Sequence, residues 1–180
     1  LGPAFRRAGL VELALGKNQE AVEHLTQAVA IAPNDVVSRL ALAREFFSKN
    51  DLSHAQDQVD RVLQIYPRQL GANILRADIA LLQNDTKQAR IIYEALVKAF
   101  PENPVGFYKL ALLEEKEGNT TAAIDAYSRC LTFDVNVLFP ARRYARLMLI
   151  NNGYDKAIGG IQEFSDKSTN QKPEFSVITA

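Results

Sequence analysis

Small, apolar and polar positions recur along this chain with one fixed step. Alanine falls at 21, 55, 89, 123 and 157, and a bulky apolar residue stands four positions beyond each, as Leu25, Val59, Tyr93, Tyr127 and Ile161. A separation of four returns to the same face of a helix, so each pair predicts an apolar stripe on a helical segment. Gly9, Ala43, Ala77, Ala111 and Ala145 form a second column of small residues at the same step of 34. Between the two columns come Gly16, Asn50, Asn84, Gly118 and Asn152, residue types that tolerate the left-handed backbone ending a helix. The pattern therefore predicts a helix, a tight turn, a second helix and a short connection, five times over, with no strands.

Proline marks the connections. Pro33, Pro67 and Pro101 stand 34 residues apart, and the stretch KAFPENPVGFYKLA shows how one connection works. Pro101 cannot donate a backbone hydrogen bond and disfavours helix in the residue before it, so it ends one helix. Asn103 then predicts an N-cap, with Pro104 as the first helical residue, where a missing donor costs nothing. The units run over 2–35, 36–69, 70–103, 104–137 and 138–171, each with helix A in its first half and helix B in its second. Segment 172–180 is a tail, a capping segment or the start of a further unit. Small residues are expected where two helix backbones approach closely, because a larger side chain there adds strain of roughly 1–3 kcal/mol.

The small, alanine, bulky and proline columns at this period resemble tetratricopeptide repeats. The resemblance covers nearly the whole chain and implies an all-α, right-handed superhelical solenoid of five antiparallel helix pairs. Some positions depart from the family pattern. The aromatic expected early in helix A is Phe5 and Phe107 in two units but Arg39, Asn73 and Ala141 in the others. Glu12 and Glu114 stand where an apolar side chain is usual, and Val135 replaces the closing proline of the fourth unit.

The resemblance also implies a concave surface lined by helix A. In the second unit this places Val37, Leu40, Arg44 and Phe47 on it, and in the third Ile74, Asp78 and Leu81. The fourth unit supplies Val105, Tyr108, Lys109, Leu112 and Lys116, and the fifth Phe139, Arg142, Arg143, Arg146 and Leu149. With Arg6 and Arg7 included, that surface carries eight cations against Asp78 and Glu115. Aromatic and aliphatic residues interleaved with cations suit a protein or peptide ligand that is acidic with apolar anchors. Replacing Arg44 and Arg143 by Glu is accordingly expected to weaken binding and leave the fold intact. The family's carboxylate clamp is not expected: one window reads Leu40, Arg44, Leu75, Val105, Lys109, without its asparagines, and another places Asp78 where a carboxylate would arrive.

Composition narrows the classes further. Across 180 residues Lys plus Arg equals Asp plus Glu at 21 each, so no net field attracts nucleic acid or an anionic membrane. No apolar stretch approaches the roughly 20 residues that span a bilayer. The chain begins at Leu1 without a secretory signal pattern, as expected of a processed or excised piece, and Phe5 and Phe175 do not read as finished ends. The compartment stays open, cytoplasmic or periplasmic, because a lone cysteine decides nothing.

No residue constellation points to chemistry. His24 and His54 lack metal-ligating neighbours in sequence, Cys130 occupies a small core position, and neither a cofactor nor a catalytic site is expected. Gly159 and Gly160 lack the Gly-Lys-Ser/Thr of a phosphate loop and are assigned to the last helix B. Asn84-Asp85-Thr86 and Asn119-Thr120-Thr121 match a glycosylation sequon, yet both fall at turns that call for Asn and Thr. The reading is a noncatalytic scaffold for protein assembly. Its alternatives are the regulatory or substrate-recruiting arm of a larger enzyme, and a self-association module.

Overall fold

The computed structural model describes residues 1–133 and 138–170. Val135, the tail 172–180 and its Phe175 lie outside the described residues. Among those described the chain is all-α, with ten helices and no strand: α1 (Gly2–Ala14), α2 (Asn18–Ile31), α3 (Val36–Ser48), α4 (Leu52–Ile65), α5 (Leu70–Leu82), α6 (Thr86–Ala99), α7 (Pro104–Lys116), α8 (Thr120–Phe133), α9 (Leu138–Asn152) and α10 (Tyr154–Asn170). Two compact bodies divide within α6, residues 1–92 and 93–180.

Helix starts follow from local capping. Asp35 accepts from the amides of Val37 and Ser38, Asp51 from that of His54, and Asn103 from that of Val105 at 3.0 Å, with Pro104 opening α7. Each of these side chains satisfies a donor that the first helical turn leaves without a partner. The turns inside the helix pairs rest on left-handed residues at Gly16, Asn50, Asn84, Gly118 and Gly153. The fifth differs from expectation by one position. Asn152 remains the last residue of α9, and Gly153, which reaches positive φ without steric cost, makes the turn instead.

In the first body Ala43, Ala55, Val59, Val62, Ala72, Leu75 and Ile79 form one core cluster, while Leu25 meets Ala41 and Leu42. In the second, Ala111, Ala123, Tyr127, Leu131, Tyr144 and Leu147 do the same. Ala21, Ala55, Ala89 and Ala123 are fully buried and Ala157 nearly so, which is what a column reserved for close helix approach requires. The bulky column is fully buried at Leu25, Val59, Tyr93 and Tyr127, each such side chain contributing about 1.5–3 kcal/mol of burial. Ile161 breaks that column, with 44% of its surface exposed.

The departures from the family pattern have local physical accounts. Phe5 stacks on His24 and Phe107 on Phe133, with ring centroids 5.8 and 5.9 Å apart. In the same column Arg39 is buried and donates from Nε to the carbonyl of Pro33 at 2.6 Å and from Nη1 to Gln58 at 2.7 Å. Asn73 is buried too, and its Nδ2 donates to the carbonyl of Pro67 at 2.9 Å. Both polar residues thus tie helix A back to the proline that closed the preceding unit. The two acidic substitutions are also satisfied: His24 Nδ1 lies 2.7 Å from Glu12, and Asn119 Nδ2 donates to buried Glu114 at 2.8 Å. Gly159 and Gly160 lie inside α10 as assigned, and a Cβ at Gly160 would fall 2.6 Å from the hydroxyl of Tyr144.

Candidate functional site

The second body gathers a polar cluster between α7, α8 and α9. The Glu115 carboxylate, at the end of α7, is largely buried. It accepts from the hydroxyl of Tyr127 at 2.8 Å, from Arg143 Nη1 at 2.8 Å and from Arg146 Nη2. Helical spacing explains the arrangement: Arg143 and Arg146 are three apart on α9 and share a face, and Tyr127 is the bulky residue of α8 that points into the same pair. Burial alone would raise the Glu115 carboxyl, but the bonds from Tyr127, Arg143 and Arg146 outweigh it and hold the group below its ordinary range. Tyr127 is pushed well up, first by burial and then by the neighbouring carboxylate. The bond to Glu115 raises Arg143 further. This cluster is a fixed ionic hub, in which Glu115 is shifted down and Tyr127 and Arg143 are shifted up.

Phe139, Arg142, Arg143 and Arg146 line one open pocket of about 400 Å³ on α9. Phe139 is 71% exposed, a large apolar surface in water beside three guanidinium groups. Arg142 is exposed and forms no ion pair among the described residues. On α7, Val105 is exposed and Tyr108, Lys109 and Leu112 are half-buried. Tyr108 and Leu112 also pack on the core, Tyr108 against the ring of Tyr127 at 6.2 Å.

In the first body Val37 and Arg44 are exposed, and Phe47, Ile74, Asp78 and Leu81 are half-buried. Leu40 is not on a surface. It sits in the core cluster with Ala43 and Leu75, so no ligand reaches it without unpacking α3. The expected cationic excess is also smaller than a residue count implies. Arg6 pairs with Asp35 at 3.2 Å, and Glu115 occupies two of the three arginines on α9. The hub role of Glu115 and Tyr127 was not anticipated, although an acid late in one helix A followed by basic residues in the next was its signal.

Among the described residues no group of three His, Cys, Asp or Glu side chains is arranged to hold a metal, and no helix is long and apolar enough to cross a membrane.

Comparison with known proteins agrees on the fold. No curated protein sequence matches the chain. Among solved structures it is similar to MamA from Desulfovibrio magneticus RS-1, with 18% identity over 96% of this chain and 97% of that one, at a TM-score of 0.71. It is also similar to TTC0263, a tetratricopeptide repeat protein of Thermus thermophilus, with 16% identity over 95% and 93% and a TM-score of 0.72. PilF of Pseudomonas aeruginosa superposes at 0.78, with 20% identity over 92% of this chain and 75% of that one. One family model, described as tetratricopeptide repeat, matches residues 40–104 and 92–134, and a second of the same description matches 7–35. The chain belongs to the tetratricopeptide repeat family, a fold that supports protein interaction.

Proposed function

We propose that the chain is a noncatalytic scaffold whose α7–α9 face holds an acidic protein segment with apolar anchors. One observation carries this reading: Phe139 stands exposed in a pocket whose other walls are Arg142, Arg143 and Arg146. An exposed aromatic beside arginine is a recurrent source of binding energy, and a carboxylate entering that pocket meets charge already held in place. Val105, Tyr108, Lys109 and Leu112 extend the same face along α7. Val37, Arg44, Phe47, Ile74, Asp78 and Leu81 give the first body a contact set of its own, in which Arg44 is the cation without an ion pair among the described residues. Nucleic acid is disfavoured as a partner because the net charge is zero.

Arg143 is a poor probe of this idea. Glutamate there would set a second carboxylate against Glu115 and disturb the hub, so binding and folding would change together. Arg142→Glu separates them. The test is fluorescence anisotropy with a labelled synthetic peptide of Asp and Glu interspersed with Phe and Leu, against its Lys-substituted counterpart. The acidic peptide should bind, and Arg142→Glu should weaken it about tenfold, roughly 1.4 kcal/mol, with the far-UV spectrum unchanged. Equal affinity for the acidic and basic peptides, or for the variant and the parent, contradicts the proposal.

A further inference from the structure

Arg142, Arg143 and Arg146 lie within one turn and a half of α9, and with Phe139 they line a single pocket. Glu115 accepts a bond from Arg143 Nη1 and another from Arg146 Nη2, and Tyr127 donates to the same carboxylate. A guanidinium carries five N–H donors, so one bond to Glu115 fixes each group without exhausting it. Both side chains stay open to water, Arg143 at 44% and Arg146 at 63%. Arg142 is exposed and forms no ion pair among the described residues. The pocket therefore presents donors from three cations, two of which are already ordered, and ordering side chains is a cost that a ligand entering here largely avoids.

Charge decides which anion fits. Among the described residues Glu115 is the one carboxylate paired with these three guanidinium groups, which leaves two positive charges without a counter-charge. An Asp or Glu carboxylate matches one of them. A phosphodiester, the linkage of nucleic acid, also carries one charge. A phosphate monoester carries close to two at neutral pH and offers three acceptor oxygens, enough for a charge-assisted bond from each arginine. Arginine's planar fork suits those oxygens better than a point charge would. Phe139, 71% exposed in the same pocket, gives an apolar side chain beside the phosphate a surface to cover, which free phosphate cannot use.

We infer, resting on the reading of the α7–α9 face as a site for an acidic protein segment, that the anion this pocket selects is a phosphorylated serine or threonine of that segment. Arg142, Arg143 and Arg146 hold the phosphate, and an apolar neighbour in the segment lies on Phe139. Glu115 and Tyr127 are positioning residues that act through Arg143 and Arg146. Binding at this face is then regulated by the phosphorylation state of the partner.

The test is fluorescence anisotropy with the labelled peptide of Asp and Glu interspersed with Phe and Leu, and with two versions of it in which one central Asp becomes phosphoserine or an Asp-Asp pair. The pair carries the same net charge as phosphoserine, spread over two groups. The phosphoserine peptide should bind about tenfold more tightly than either of the others. Arg142→Gln, an exposed change that should leave the far-UV spectrum unaltered, should remove most of that advantage. Inorganic phosphate should displace the phosphopeptide only at concentrations at least about a hundredfold above the peptide's Kd, because it cannot use Phe139. If the phosphoserine peptide binds no better than the Asp or Asp-Asp peptide, the inference is overturned and the acidic-segment reading stands. If none of the three binds, both fall. An advantage that survives Arg142→Gln overturns the placement in this pocket, and displacement by phosphate at concentrations near the peptide's Kd overturns the assignment to a protein segment.

Discussion

Gly9 and Leu25 provide a sharp test of the nested columns. Gly9 is the only glycine in a column otherwise filled by alanine, and it is buried in the middle of α1, where glycine costs about 1 kcal/mol of helix propensity relative to alanine. On propensity alone Gly9→Ala would stabilise. A Cβ there, however, would lie 2.6 Å from Leu25 Cγ and 3.1 Å from the carbonyl oxygen of Ala21. Cγ is the branch point of a fully buried side chain, and the second contact is backbone, so neither can move aside cheaply. Overpacking of this kind costs roughly 1–3 kcal/mol, which exceeds or cancels the propensity gain and leaves a net loss of about 1 kcal/mol. The second unit shows the remedy, since Ala43 there accompanies Val59, which lacks the γ-branch. Leu25→Val alone should cost about 1 kcal/mol as lost burial. The double variant should be more stable than the sum of the two changes by about 1 kcal/mol, because the valine vacates the space the alanine needs. Urea denaturation followed by circular dichroism measures all four corners of the cycle. A Gly9→Ala protein that is stabilised by about 1 kcal/mol, or a cycle with no coupling, would refute the close-approach argument.

Ala89→Arg, which forces a long charged side chain into a fully buried alanine site, should abolish cooperative melting or lower its midpoint by many degrees; an unchanged melting curve would contradict the register. Tyr127→Phe removes a hydrogen bond to a charged group and should cost about 1.5–3 kcal/mol in urea denaturation. The Glu115 carboxyl is held below its ordinary value of 4.5, so the stabilisation it confers is complete above that pH and is lost as pH falls through the lower folded value. Urea midpoints measured from neutrality into acid should therefore fall less steeply for Glu115→Gln than for the parent, although the variant starts from lower stability. Asn73→Ala should cost about 1–3 kcal/mol by leaving the carbonyl of Pro67 without its side-chain donor, and Asn73→Asp, which cannot donate when ionised, should not rescue it.

Much of the fold was legible because the information is local and periodic. The alanine and bulky columns specify which face of each helix is buried, and left-handed turn residues and N-caps specify where helices stop and start. Misreadings arose where tertiary context decides. Leu40 falls at a helix A position that the resemblance makes a ligand contact, but the side chain faces Leu75 across the α3–α5 contact and is consumed by the core. Ile161 has the correct periodicity and lacks a described neighbour to cover it, which no pattern within one helix can reveal. The Glu115 hub depends on residues 12, 28 and 31 positions apart, so it needed the packing of α7, α8 and α9 to become visible. Likewise the cations could be counted in sequence, whereas their ion pairs with Asp35 and Glu115 could not.

The functional account is tested most directly by titrating the isotopically labelled chain with the acidic Phe- and Leu-containing peptide and mapping amide shift changes by NMR. The account predicts that changes concentrate on 105–116 of α7 and 139–146 of α9, weaken with added salt, and need about ten times more peptide with Arg142→Glu. Shifts confined to other helices, or a spectrum that does not respond to saturating peptide, would contradict it.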